Sequence, residues 1–181
     1  MHLSVREIQE SDIPQIVSYF IDADEDFLLG MGADKNKLPE RSVLSNKIAA
    51  DLDLPYNQKK IYYIIWEVNG EAIGHSNINN IEFGKTANMH LHIWQPDVRQ
   101  SGFGSRFLKK TIPYYFKNFD LEYLICEPYA HNPAPNRILK KIGFRFIKKY
   151  ETIPGSINFY QEVNRYEIDK VNFEKTINRI S

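Results

Sequence analysis

The sequence predicts a mixed α/β (α+β) domain built on one mostly antiparallel central sheet with flanking helices, and three features predict it. Two runs rich in β-branched and aromatic residues, Ile61 to Val68 and Glu71 to Ile78, are joined by Asn69-Gly70. Asn-Gly between such runs is the strongest short hairpin signal, because both turn positions take positive φ. A strand at Ala87 to Ile93 passes through a glycine-containing loop into a helical pattern from Phe103 to Lys117, and a short apolar strand follows at Leu121 to Cys126. A strand–helix–strand crossover of this kind makes the two strands parallel neighbours. Finally, Phe144 to Tyr150 and Asn158 to Ile168 read as a closing pair of strands.

The remaining elements follow in chain order. Leu3, Val5 and Ile8, separated by polar residues, suggest a first strand. Ser11 begins a helix with Ile13, Ile16, Val17 and Phe20 on one face. Asp22-Ala23-Asp24-Glu25-Asp26 is an acidic cluster, and Phe27-Leu28-Leu29-Gly30-Met31-Gly32 behind it is apolar enough to pack inward or to wall a substrate site. Val43 to Leu52 carries Leu44, Ile48 and Leu52 at helical spacing. His75, alone in the second hairpin arm, reads as a structural histidine. Phe107, Leu108, Ile112 and Tyr115 form a core stripe on the loop helix. Pro113 within it removes a backbone donor and predicts a kink. Asn132 is placed to cap the next helix, Pro133 to fill its first position and Gly143 to end it. Asp169 to Ile180 reads as a terminal helix.

Composition narrows the class. The chain has 181 residues, 43% hydrophobic and 25% charged, which suits one domain over residues 1–181 with a real core. Formal net charge is zero, so no basic surplus drives binding to a phosphate backbone, and nucleic acid is not expected as a partner. Cys126 is the single cysteine; no intrachain disulfide is available, and a reducing cytoplasm is the simplest compartment. The longest apolar run, Ile61 to Trp66, is far too short to cross a bilayer, and Met1 to Glu7 holds no uninterrupted apolar stretch, so no membrane partner is expected.

The chemistry concentrates in the loop after Ile93. A strand, a glycine loop and a helix start present backbone N–H groups to an anion, and the helix dipole favours negative charge there. Gly104 is followed by Ser105-Arg106, which is not a Walker ending, and Phe107 stands where a dinucleotide fingerprint needs a third glycine. Arg99-Gln100-Ser101-Gly102-Phe103-Gly104 instead fits Arg/Gln-x-x-Gly-x-Gly/Ala. This resembles the pyrophosphate loop of the GNAT superfamily of acetyl-CoA-dependent N-acetyltransferases. A second stretch, Asn132-Pro133-Ala134-Pro135-Asn136-Arg137-Ile138-Leu139-Lys140-Lys141-Ile142-Gly143-Phe144, resembles Asn-x-x-Ser-x-x-x-Leu-x-Lys-Leu-Gly-Phe of the branch that includes ribosomal-protein N-terminal acetyltransferases. The resemblance runs from about Leu3 to Tyr166. Pro135 replaces the Ser of that signature, and Leu139 sits where many GNAT enzymes carry a tyrosine acid, so that role does not transfer.

The resemblance implies acetyl-CoA as cofactor and a parallel strand pair that splays apart around the pantetheine arm. It implies cofactor contacts from Ile93, Trp94, Arg99, Gln100, Ser101, Gly102, Phe103, Gly104 and Ser105. Asn132 and Asn136 would hold pantetheine or order the neighbouring turn. An amine attacking a thioester must be neutral, which costs about 4–5 kcal/mol at pH 7 for a lysine-like amine and about 1 kcal/mol for a peptide α-amine. Strand alternation puts His90, His92 and Trp94 on one face, with the two histidines about 6.6 Å apart, so either is a candidate proton relay or a structural histidine. A His-x-His pair also suits a metal, but no third ligand lies nearby in sequence and none is expected. Glu127 and Tyr129, leaving the next strand, are candidates for base or ammonium anchor and for thiolate acid, or else for strand-end and rim positions. The acidic cluster would draw in a cationic amine. The expected activity is N-acetyl transfer from acetyl-CoA to a primary amine of a small molecule or peptide; the rival is a non-catalytic acyl-CoA-binding or sensing module. The strand edge at Asn158 to Ile168 leaves a homodimer open.

Overall fold

Seven strands make one sheet in the computed structural model, which describes residues 1–98 and 102–180. They are β1 (Leu3–Glu7), β2 (Ile61–Val68), β3 (Glu71–Glu82), β4 (Thr86–Ile93), β5 (Tyr123–Cys126), β6 (Arg145–Thr152) and β7 (Gln161–Asp169), in the order β1-β2-β3-β4-β5-β7-β6. The helices are α1 (Ile13–Ile21), α2 (Glu25–Gly30), α3 (Arg41–Ala49), α4 (Phe103–Phe119), α5 (Pro133–Lys141) and α6 (Lys170–Ile180). Every neighbouring strand pair is antiparallel except β4 and β5, which run parallel.

Local sequence explains most of these elements. Asn69 and Gly70 take φ of 53° and 85°, the turn that a two-residue hairpin demands. Asn132 Oδ1 accepts the Ala134 N–H at 3.3 Å and caps α5, with Pro133 in its first position. Gly143 ends that helix at φ 94°, where a Cβ would collide with Thr176. Three elements differ from the sequence reading, one of them β7, which is paired on both sides by β5 and β6 and so is not the sheet edge expected at Asn158 to Ile168. α1 begins at Ile13 after a 3₁₀ turn at Glu10–Asp12, because the Asp12 carboxylate folds back to accept the Gln9 N–H at 2.8 Å. The stretch after the acidic cluster is a short helix rather than a loop: Asp24 Oδ1 caps it by accepting the Phe27 N–H at 2.7 Å. Its Leu28 packs inward and is fully buried, while Leu29 is 44% exposed.

Two apolar layers sandwich the middle of the sheet. On one face α4 lays Phe107, Leu108, Ile112, Tyr115, Phe116 and Phe119 against β2–β4, with Trp66 stacked on Phe107 at 5.1 Å and donating its indole N–H to Thr111 Oγ1 at 2.9 Å. On the other face α1 and α3 bring Ile13, Ile16, Val17 and Ile48 against Tyr63, Ile65 and Trp94. β2 is therefore covered on both faces, which is why its sequence is a continuous apolar run rather than an alternation. α4 continues through Pro113 to Phe119. The lost hydrogen bond and steric clash cost about 3 kcal/mol, and each large side chain buried on that face returns about 1.5–3 kcal/mol.

A buried polar chain ties this core to β4. Ser76 on β3 is fully buried; its hydroxyl accepts from the Tyr115 hydroxyl at 2.8 Å and donates to the His90 carbonyl at 2.6 Å. Ser76→Ala strands the Tyr115 hydroxyl and should cost about 1–3 kcal/mol. In urea unfolding, the Ser76→Ala/Tyr115→Phe pair should lose less than the two single variants summed. Strict additivity would show that the chain carries no coupling.

Candidate active site

The site begins where β4 and β5 part. Their parallel register spans only Thr86–Tyr123, Ala87–Leu124 and Asn88–Ile125, after which β4 runs on to Ile93. The Trp94 N–H donates to the Ile73 carbonyl at 2.8 Å. Antiparallel pairs alternate, so His90 and His92 also direct their backbone groups to β3, while Leu91 and Ile93 direct theirs to the gap side. Side chains alternate independently. His90, His92 and Trp94 project to the α1/α3 face, and Met89, Leu91 and Ile93 to the α4 face. The gap thus joins two different environments through the sheet.

The glycine loop enters on the α4 face. Arg99, Gln100 and Ser101 lie outside the described residues. Gly102 has φ 76° and precedes α4; a Cβ there would meet nothing within 4 Å, so its surroundings are open to a bulky group. Gly104 is different. It is buried, and a Cβ would sit 2.8 Å from Ile138 Cδ1, so the close approach of α5 also favours glycine here. Phe103 turns its ring towards Phe107, and the Ser105 hydroxyl donates to the Gly102 carbonyl at 3.1 Å, which leaves backbone rather than side chains at the helix start. The first turn of α4 holds no acidic residue. Arg106, which the sequence reading passed over, is exposed there with its guanidinium carbon 6.0 Å from the Phe103 ring centre. These features fit a pyrophosphate: N–H groups, a helix N-terminus, a cation and open space.

On the other face three histidines gather, not two. His75 lies directly across from His92 in the β3–β4 register, with ring centres 4.8 Å apart. Its Nδ1 accepts the Trp94 indole N–H at 2.8 Å, so its proton sits on Nε2, a buried atom with no partner among the described residues. Burial, with a smaller contribution from His90, lowers its pKa to about 3. His90 Nε2 lies 3.2 Å from Asn79 Oδ1, which can only accept, so Nε2 carries the proton and Nδ1 is the basic nitrogen. Burial lowers the His90 pKa to about 4 against a smaller upward pull from Glu127. His92 Nδ1 lies 3.3 Å from the Tyr19 hydroxyl, and its pKa is held well below the usual value, first by burial and then by His75 and His90. All three are neutral at pH 7. The sequence reading took His75 as structural but missed its place opposite His92, and it missed Tyr19, because cross-strand register and a helix-to-strand contact leave no local pattern.

The other candidates are arranged as follows. The Glu127 carboxylate accepts from Tyr150 at 2.6 Å and from Arg165 Nη1 at 3.0 Å, and Arg165 also pairs with Glu167 at 2.8 Å. Its charge is thus matched within the sheet. Tyr129 is half-buried, its ring edge-on to His131 and Phe159. Asn136 is buried and saturated: its amide donates to the Tyr129 and Asn132 carbonyls at 3.0 and 2.7 Å, and its oxygen accepts from Asn164 and Tyr166 at 2.7 and 3.1 Å. Its side chain thus orders the turn between β5 and α5.

A recess of about 240 Å³ opens beside Trp94, lined by Ser18, Tyr19, Asp22, Asp24 and Phe27 among others. Asp22 pairs with Arg41 at 2.5 Å, and Asp24 caps α2, so half of the acidic cluster has a structural role as well. Glu25 and Asp26 are exposed in the first turn of α2. A larger recess of about 530 Å³ is lined by Tyr123, Arg145, Asp169 and Lys175. It lies at the paired end of β5, away from the gap. Among the described residues, no cluster of three or more His, Cys, Asp or Glu is arranged to hold a metal, and no helix is long and apolar enough to cross a membrane.

This architecture is that of the GNAT acetyltransferases, and the family model of the acetyltransferase (GNAT) domain matches residues 2–145. The chain belongs to this family of acetyl-CoA-dependent N-acetyltransferases. No curated protein matches it in sequence. Similar solved structures include the spermidine N-acetyltransferase from Vibrio cholerae in complex with CoA and spermine, at TM-score 0.77 and 16% identity over 95% of this chain and 98% of that one. RimL, the ribosomal L7/L12 α-N-protein acetyltransferase with coenzyme A, superposes at TM-score 0.74 and 16% identity over 92% and 93% of the two chains. An uncharacterised protein from Bacillus halodurans superposes at 0.71 with 17% identity, over 96% and 87%.

The histidine cluster makes folding pH-dependent. A histidine of the unfolded chain takes up its proton near pH 6.5, whereas His90 and His75 in the folded protein wait until about pH 4 and 3. The unfolded state therefore binds more protons between these values. Stability should fall as pH drops from about 6.5 to 4, by up to about 1.4 kcal/mol per pH unit for each such histidine. Chemical denaturation across that range should show a shallower slope for His75→Phe than for the native chain; equal slopes would place the pH dependence elsewhere.

Proposed function

We propose that the chain moves an acetyl group from acetyl-CoA to the primary amine of a small molecule or a peptide end, by direct attack on the thioester. The observation that carries this reading is the parting of β4 and β5 after three residue pairs, with an anion-ready helix start on one face and three neutral histidines on the other. Acetyl-CoA, once bound, supplies the activated acyl carbon and a thiolate leaving group. The chain's own groups divide the rest. Backbone N–H groups around Gly102, joined by Arg106, hold the pyrophosphate. The gap side of β4 at Leu91 presents main-chain groups to the thioester, where an N–H steadies the oxyanion.

The amine approaches from the α1/α3 face. Asp22, Asp24, Glu25 and Asp26 concentrate a cationic acceptor near the recess, which Tyr19, Phe27 and Trp94 help to line. His90 Nδ1 or His92 Nε2 receives the proton as the new bond forms, being unprotonated throughout the neutral range. Glu127 steadies a charged His90 through space, and Tyr129 is positioned near the exit of β5 to protonate the departing thiolate. The acceptors in the names of the two similar enzymes, a polyamine and a protein α-amine, both fall in the primary-amine class. A lone buried Cys126, its thiol pushed up to about 12 by burial, is inert and suits a reducing compartment.

Incubation with acetyl-CoA and a panel of primary amines, following thiol release, tests the reading; CoA binding without thiol release from any amine would instead favour a sensor. Gly102→Glu should abolish CoA binding in calorimetry while the protein stays folded, since a side chain and a negative charge would enter the open ground before α4. Wild-type affinity in the folded variant would remove the pyrophosphate from this loop. Neutralising the four carboxylates should raise the KM of the best amine and weaken its salt dependence, with less change in kcat. Indifference to both charge and ionic strength would exclude a steering role.

A further inference from the structure

Trp94 stands where β4 ends and the chain leaves for the cofactor loop. Two bonds to β3 hold it there. Its main-chain N–H donates to the Ile73 carbonyl at 2.8 Å, and its indole N–H donates to His75 Nδ1 at 2.8 Å. A 3₁₀ turn at Pro96–Val98 follows directly. Trp94 also lines the recess of about 240 Å³ on the α1/α3 face, with Tyr19, Phe27 and the carboxylates Asp22 and Asp24. One side chain thus belongs to the acceptor recess and to the lead-in of the cofactor loop.

An indole nitrogen can only donate, so a buried one needs an acceptor. His75 supplies it and is itself fully buried, with no part in lining the recess. An imidazole that accepts on Nδ1 carries its proton on Nε2, and that N–H has no partner among the described residues. The bond to Trp94 is therefore the one hydrogen bond of this side chain among them. The ring is also a hub. Its centre lies 4.8 Å from that of His92, 5.7 Å from Trp94 and 6.2 Å from Tyr19, which stands edge-on to it. Tyr19 lines the recess, and its hydroxyl lies 3.3 Å from His92 Nδ1. His75 thus backs two walls of the recess and the candidate proton acceptor next to them.

We propose that His75 is a positioning residue for the acceptor: its bond to the indole locks Trp94 as a wall of the recess and so sets how tightly the amine is held beside the Tyr19–His92 pair. The inference rests on the acetyl-transfer reading above and deepens it. His75 acts through Trp94, at a distance from the reacting atoms.

The test compares two substitutions. His75→Asn keeps a hydrogen-bond acceptor on the same branch of the side chain, whereas His75→Leu removes it. Exchange of the indole N–H groups, followed by NMR, reports the lock directly, and Trp66, bonded to Thr111, is the internal control. Exchange at Trp94 should rise about tenfold or more in the Leu variant, stay within about threefold of native in the Asn variant, and be unchanged at Trp66 in both. In steady-state kinetics the Leu variant should raise the KM of the best amine about tenfold, with kcat within about threefold and CoA affinity unchanged, and Asn should restore most of the loss. If His75→Leu does not fold, Trp94→Phe breaks the same bond from the donor side and should raise KM likewise. A native KM in the folded Leu or Trp94→Phe variant, or equal loss in the Leu and Asn variants, would overturn the proposal. Failure of the acetyl-transfer reading looks different, since no amine would then release thiol from acetyl-CoA. Calorimetry with a CoA-S-acetamide bearing n-butyl on its nitrogen still decides the role of His75 in that case: the gain in affinity over CoA alone should shrink about fivefold or more in the Leu variant and persist in the Asn variant, and an undiminished gain in both would overturn it.

Discussion

The parallel pairing of β4 with β5 is three residue pairs long, and beyond it β4 stays paired with β3 and β5 with β7. β4 keeps its register with β3 as far as Ile93, and β5 keeps its own with β7 through Cys126. Backbone groups on the gap side of β4 are thereby turned towards space that a sheet would ordinarily fill. An extended sheet cannot tolerate such a parting unless both lips are braced. The Ser76 chain from Tyr115 braces one lip, and Asn136, with four hydrogen bonds to Tyr129, Asn132, Asn164 and Tyr166, braces the other. These buried polar groups are fully partnered, which is the condition under which a buried network rigidifies rather than destabilises.

The two faces of the gap differ in charge as well as in position. The α4 side offers a helix start with a nearby arginine and no acidic residue in its first turn, which suits an anion. The α1/α3 side offers imidazoles kept neutral by burial and a recess bordered by carboxylates, which suits a cation that must lose a proton. A thioester held between the two would meet its phosphates' partners on one side and its attacking amine on the other. The orphan Nε2 of His75 stands out in this arrangement, because Trp94 and His92 are both aligned by its ring while its own N–H goes unmatched.

Much of this was legible in the chain. The Asn69-Gly70 hairpin, the Asn132-Pro133 helix start and the Gly143 stop follow from backbone chemistry at single residues, so a linear sequence carries them. The glycine loop was legible as a class, but not that its two glycines sit in different surroundings: Gly102 faces open space while Gly104 lies against Ile138. What stayed hidden depends on register and on contacts between distant elements: His75 opposite His92, Tyr19 reaching from α1, Glu127 already matched by Arg165 and Tyr150, and Asn158 donating to the distant Gly32 carbonyl. Pro113 lies inside α4 without ending it, since the buried face that only the folded chain supplies offsets the cost of the missing donor.

The most direct measurement of the central claim is amide-resolved hydrogen exchange along β4 with and without CoA. The Leu91 N–H faces the gap and the His92 N–H faces β3, so the account predicts that CoA slows exchange at Leu91 and leaves His92 nearly unchanged. Protection that instead falls equally on both, or that appears only around Tyr123 and Asp169 at the far end of β5, would contradict a cofactor lying between the parted strands.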